Sequence, residues 1–500
     1  MQMNRQRRDI DIFAIAILVS FVLSAWHVLA NPIPNSDAFD YVRTATVYLD
    51  SGIAAAFSWD PTATYPVVMG MVHQVTGLNL FAAGQFINAV FYGLIIYAFM
   101  SIALEVRNTR RIALISAALI LVFPTLNEYR YYLIRDIGFL AFMLLAALQL
   151  MRYYKQAHSL HACAFIALVF AATLLRTEAL AYLPLAPLAL LAGPQRQWRA
   201  FLKVELFLLG IGVSALAVFF VLNIDVIEIL QRVLTVYWPF LHDALIAFTD
   251  KNSPLSIAVF GEYAANFSGK YIWLFMFAGL SAVLLAQLLS GLGVPTLLLV
   301  IYGLAQQRRE FAQNNIRTLL VFALISFAIL LVFLGLTRFI STRYTMLFSL
   351  SLLAILPVVI DNMLVQIETL KRRNWAKGAL VFFLLFSAID AHISFGDSRD
   401  SLQEASDWLL ANTQEGDAIF TNSSYIAYYS GRVENYDEVS RYITEHTIEN
   451  AQYGTVIALM MSSSIEQQLQ HNLEFQQLEA LAAFPNEQDP EVLIYRRLGN

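Results

Sequence analysis

Long uninterrupted apolar runs separated by short charged segments fill about the first 390 residues, with no strict alternation and no repeat of 20 to 50 residues. A helix needs about 20 mostly apolar residues to cross a hydrocarbon core of about 30 Å. Eleven runs reach or approach that length: 10–30, 81–104, 112–127, 137–151, 161–175, 179–193, 204–222, 275–304, 318–336, 345–366 and 378–391. The pattern predicts a mainly α polytopic membrane protein with about 11 transmembrane helices. Lys and Arg set the orientation, because they accumulate on the cytoplasmic side. One set of loops holds 18 of them, in clusters such as Arg5-Arg7-Arg8, Arg107-Arg110-Arg111 and Lys371-Arg372-Arg373. The opposite loops hold nine: Arg43, Arg130, Arg135, Arg176, Arg232, Lys251, Lys270, Arg338 and Arg343. The N-terminus is therefore expected in the cytoplasm and, after an odd number of spans, the C-terminus outside. The first run ends Val28-Leu29-Ala30, as a signal-peptidase site would. Its apolar length of about 20 exceeds the usual 7 to 15, so it reads as a retained helix.

After residue 391 the pattern changes, and 392–500 reads as a small soluble α/β domain behind a transmembrane domain, 1–391, with a long first outer loop, 31–80. Ser401 and Glu404 have capping-box spacing before a helix with Leu402, Ala405, Trp408 and Leu409 on its inner face. Gly416 then leads into a strand at 418–421, a Tyr-rich helix near 424–429, a strand at 455–460, a helix around 464–482 and a strand at 492–495. No Gly-rich phosphate loop, HExxH or GxSxG is present, so packing or acceptor docking is expected of this domain.

Composition sharpens the class. Of 500 residues, 58% are hydrophobic and 14% charged, against roughly a quarter charged in soluble proteins. This excludes a soluble enzyme, a disordered chain and a nucleic-acid binder. The net charge of -5 joins two unlike parts: 392–500 holds 17 acids, five Arg and no Lys, while the rest holds 20 acids and 27 bases. The lone Cys163 makes no internal disulfide, and the eight His lack metal-ligand spacing.

In spans this poor in charge, the ionisable groups at the outer helix ends are the candidates for chemistry. Loop one opens Asn35-Ser36-Asp37-Ala38-Phe39-Asp40-Tyr41, and Val42, Ala45 and Leu49 continue at helical spacing, as in an amphipathic interfacial helix. Asp37 and Asp40 then either cap the helix and favour its dipole or, held ionised, accept a proton. The loop after the third span carries Glu128, Tyr129, Arg130, Tyr131, Tyr132, Arg135 and Asp136, either an interfacial belt or a phosphate clamp. Arg176 with Glu178, and Arg338 with Arg343-Tyr344, are snorkelling arginines taken singly. Together they suggest an anionic ligand at the outer surface.

The order of these features resembles GT-C glycosyltransferases. It is carried by the single N-terminal span, the acidic pair Asp37 and Asp40 with Tyr41, Tyr65-Pro66 before the second span, and Arg343-Tyr344 opening a Leu-rich span. The branch of protein O-mannosyltransferases, aminoarabinose transferases and lipopolysaccharide-core sugar transferases is similar around Leu175-Arg176-Thr177-Glu178, where Thr177 replaces the usual Pro. The resemblance implies a bacterial inner-membrane enzyme that moves a sugar from a polyprenyl-phosphate donor to an outer-face lipid, glycan or protein acceptor. It further implies Asp37 or Asp40 as general base and Arg135, Asp136 and Arg343 facing the donor; the residues themselves add Arg176, Glu178, Arg338, Tyr344 and Tyr65 as donor candidates and leave a divalent cation as an option at Asp37 and Asp40, with no other metal. A phosphate leaving group needs positive charge, and displacement from the far side inverts the anomeric carbon. Two other classes stay open: a transporter or flippase, disfavoured by spans without interior charge, and a polymerase or ligase, for which the 223–270 loop offers Asp225, Glu228, Arg232, Asp243 and Glu262.

Overall fold

The computed structural model describes residues 2–192, 197–221, 238–246, 253–306, 316–368, 373–393, 400–437, 439, 451–471 and 478–498. Of the 223–270 candidates, Asp225, Glu228 and Arg232 lie outside the described residues. Among the described residues, five helical stretches are long and apolar enough to cross a membrane: Asp11–Ala30, Leu80–Val106, Asp136–Gln156, Glu262–Leu292 and Ile316–Thr337. The pair Thr342–Leu353 and Leu356–Glu368, bent by 45°, makes a sixth if it is one span. These helices make the chain an integral membrane protein.

Several of the eleven apolar runs are shorter or broken, and prolines and glycines explain most of the breaks. Run 112–127 stops at Leu121 and restarts as Pro124–Asn127, where Pro124 opens a new turn. Run 179–193 becomes short 3₁₀ and α segments, because Pro184 and Pro187 each remove a donor from the helical ladder. Run 275–304 divides at Gly293, whose φ of 80° ends one helix before Val294–Gln306 begins. The bend inside run 345–366 lies just ahead of Pro357. Trp198–Val221 and Arg373–His392 are continuous helices.

The chain divides into two compact units: 1–25, 88–130 and 135–392 form the first, and 26–87, 131–134 and 393–500 the second. In the first unit, basic residues tie helix ends together. Arg107 and Arg111 pair with Asp361 at 2.8 and 3.3 Å, and Arg152 and Lys155 pair with Glu105 at 2.9 and 2.8 Å. Arg130, 1% exposed, donates to Asn127 Oδ1 at 2.6 Å, Ser24 Oγ at 2.8 Å and the carbonyl of Ser20 at 3.0 Å, and lies 4.3 Å from the Tyr92 ring centroid. It fastens the first helix to the 124–130 segment instead of pointing outward.

The second unit contains a four-stranded sheet in the order β1 (Ile419–Thr421), β2 (Val456–Met460), β4 (Val492–Arg497), β3 (Leu478–Phe484). β1 and β2 are parallel, and the other two pairings are antiparallel. The expected helix over 464–482 is overturned from residue 478: Ser463–His471 is helical, 472–477 lie outside the described residues, and Leu478–Phe484 is a strand on β4. Leu, Glu and Ala favour helix locally, yet a partner strand with open hydrogen bonds and a hydrophobic face overrides that preference. The expected capping box is also absent: Ser401 lies inside the Asp400–Asn412 helix, and its hydroxyl donates to Glu491. Leu402, Ala405 and Leu409 are buried as expected, in a core that includes Ile33 and Phe39 of the 31–80 segment.

Candidate active site

Five of the residues singled out in the sequence meet in the first unit. Asp136, Arg176, Glu178, Arg343 and Tyr344 line one pocket together with Phe139, Tyr182, Ser326 and Leu347. Each is delivered by a helix terminus. Asp136 is the first residue of the Asp136–Gln156 helix, where the helix dipole favours a carboxylate. Arg176 is extended (φ -145°, ψ 117°) between the end of the Ser159–Thr173 helix and the 3₁₀ turn Thr177–Ala181 that carries Glu178. Arg343 and Tyr344 form a 3₁₀ turn, Thr342–Thr345, held against Leu284, Leu288, Leu330 and Leu334.

Arg176 is the centre of this network. It donates to Asp136 and to Glu178, and its guanidinium lies 4.6 Å from the Tyr344 ring centroid and 5.6 Å from that of Phe139. The Arg343 guanidinium lies 5.1 Å from the same Tyr344 ring centroid and donates to the Tyr344 hydroxyl at 3.2 Å. Burial is the largest influence on Arg176 and lowers its pKa; Asp136, then Glu178 and Tyr344, more than offset it, so the pKa is raised overall. The space left among these side chains is about 30 Å³, room for a water molecule or two. Two acids and two arginines balance each other there, so an anionic ligand would have to exchange with a carboxylate on Arg176.

The other predicted donor residues of this unit are elsewhere. Arg338 is exposed, adopts a left-handed conformation (φ 56°) at the end of Ile316–Thr337 and donates to the carbonyl of Asp243 at 2.9 Å. Arg135 is half-buried at the start of Asp136–Gln156 and does not line the pocket.

Asp37, Asp40 and Tyr65 belong to the second unit. The amphipathic helix expected there is Asp37–Ser51, with Ala38, Phe39, Val42 and Ala45 on its buried face. Asp37 is its first residue, not its cap; Ser36 occupies the cap position and makes no side-chain capping bond. Asp37 is half-buried and Asp40 exposed. Tyr65 is buried, with its hydroxyl donating to the carbonyl of Gly84 at 3.2 Å and its ring edge-to-face with Tyr41 at 5.2 Å. Among the described residues no group of three or more His, Cys, Asp and Glu could hold a metal ion.

No family model and no curated protein matches the chain. Among solved structures, the chain is similar to ArnT from Cupriavidus metallidurans in the apo state, at 13% identity and TM-score 0.48, over 98% of each chain. The same protein bound to undecaprenyl phosphate gives 12% and 0.47 over 97% of each. The Archaeoglobus fulgidus oligosaccharyltransferase gives 14% and 0.45, over 89% of this chain and 62% of that one, so this chain spans under two thirds of that protein's length. Both are GT-C membrane glycosyltransferases, the group that the sequence motifs resemble.

Sequence reasoning missed Phe139, Tyr182 and Ser326 as pocket residues. Tyr182 and Ser326 stand as isolated polar side chains in apolar runs, which was the available signal. Phe139 is one apolar residue among many and carries none.

Proposed function

We propose that the protein transfers a sugar, with inversion, from a polyprenyl-phosphate carrier to an acceptor at the extracytoplasmic membrane face. The observation that carries this reading is the convergence of Arg176, Arg343 and Tyr344 with Asp136 and Glu178 in one pocket of a membrane-spanning unit. Ionisable groups are costly among apolar helices and mark functional sites there. Arginine offers bidentate donors to phosphate oxygens. In this reading the donor phosphate takes over guanidinium bonds that Asp136 and Glu178 hold, and the same donors stabilise the charge that develops as the phosphate leaves.

The acceptor hydroxyl oxygen forms the new bond to the anomeric carbon, and the old carbon–oxygen bond breaks with its electron pair going to the phosphate. The hydroxyl proton passes to a first-loop carboxylate, for which the sequence resemblance supports Asp37, with Asp40 second. A divalent cation at Asp37 or Asp40 would be held by carboxylate oxygen and would supply positive charge there. The acceptor is a lipid, a glycan or a protein.

The test is incubation of the purified full-length protein with a panel of polyprenyl-phosphate sugars, following released carrier phosphate and labelled acceptor. Turnover is expected in the wild type, none in Asp37→Asn, and a raised donor KM in Arg343→Ala. No turnover with any donor, together with carrier movement between leaflets of liposomes, would sink the enzyme in favour of the transporter. Full activity in Asp37→Asn would move the base to Asp40.

A further inference from the structure

Phe39 stands between Asp37 and Asp40 in the Asp37–Ser51 helix and is 1% exposed. Four rings surround it: Phe81 at 5.7 Å, Tyr425 at 6.3 Å, Tyr428 at 5.5 Å and Tyr429 at 6.4 Å between centroids. The three tyrosines come from one short helix, Ser424–Ser430. Burial, with Tyr425 and Tyr428 adjacent, pushes the Tyr429 hydroxyl up to about 12, so these rings pack as neutral groups. One turn beyond Phe39, Arg43 pairs with Asp437 at 3.8 Å, and its guanidinium lies 5.8 Å from the Tyr436 ring centroid and 5.5 Å from that of Trp59.

Residues four apart share a helix face. The Asp37–Ser51 helix is therefore held to the C-terminal segment at two points about one turn apart, which restrains both its rotation and its tilt. Asp37 and Asp40 sit in the same first turn as Phe39 and inherit its placement.

We propose that the C-terminal α/β segment acts as a positioning module for this acidic turn, with Phe39 and Arg43 as the positioning residues. The inference rests on the reading of Asp37 and Asp40 as the acid–base groups. It gives the C-terminal segment a role in the rate of the chemical step, beyond packing or acceptor docking.

The test uses the full-length protein in nanodiscs, with Phe39→Ala, Phe39→Leu and Asp437→Asn. A shift of about 1 Å in a reacting group costs on the order of 10²-fold in rate. Phe39→Ala is expected to lower kcat by about that factor with the donor KM within about twofold, and Phe39→Leu and Asp437→Asn to lie between it and the wild type. An unchanged kcat, or a loss carried by KM, would overturn the proposal. Hydrogen exchange over residues 38–51 supplies a readout independent of turnover. Faster exchange there in Phe39→Ala, with 136–156 unchanged, supports the coupling even if the wild type transfers no sugar from any donor; unchanged exchange overturns it. If Phe39→Ala does not fold, Phe39→Leu and Asp437→Asn carry both readouts.

Discussion

Half-buried Arg176 and fully buried Arg130 are two arginines that the fold satisfies in different ways. Arg130 is surrounded by neutral oxygens of Ser20, Ser24 and Asn127 and by the Tyr92 ring, and burial pulls its pKa down to about 10, still well above neutral pH. Arg176 has two carboxylates, with side-chain exposures of 15% for itself, 9% for Asp136 and 30% for Glu178. Removing one member of a buried pair leaves a charge without compensation, at about 3–5 kcal/mol, whereas removing both is far milder. Arg176→Gln is therefore expected to lower the thermal midpoint of the detergent-purified protein strongly. Adding Asp136→Asn should recover much of that loss. A double variant no more stable than the single would show that the ion pair is not what Arg176 contributes.

At the scale of elements, close helix contacts depend on small residues, because apolar packing between membrane helices relies on backbone approach. A Cβ built on Gly303, in Val294–Gln306, would collide with Cγ2 of Val359, in Leu356–Glu368. Gly303→Leu should force these helices apart and cost about 1–3 kcal/mol, as overpacking does. Thermal unfolding checks this, and an unchanged midpoint would show that the contact yields freely. The same scale shows where periodicity was a good guide and where it failed. The Asp37–Ser51 helix was legible because its apolar positions repeat at helical spacing over several turns. β3 was not, since Leu478–Phe484 has helix-forming composition and becomes a strand only through its pairing with β4.

For the whole molecule, basic-residue asymmetry predicts which loops face the cytoplasm. In a Cys163→Ser background, a cysteine at the exposed position 417 should react with a membrane-impermeant maleimide added outside intact spheroplasts. One at exposed position 110 should react only after permeabilisation. The reverse pattern would invert the topology. The sequence by itself determined the membrane class, the acidic C-terminal segment and the residue types at the helix ends, because transfer free energy and charge are properties of local composition. It also supplied a list of ten site candidates, but could not divide them. Only the tertiary structure brought Asp136, Arg176, Glu178, Arg343 and Tyr344 into one pocket while sending Arg338 to the carbonyl of Asp243. It likewise joined Phe39 to Tyr428, nearly 400 residues away in sequence. The physical reason is that local patterns report burial and helical phase, whereas which buried charges meet depends on contacts between helices distant along the chain.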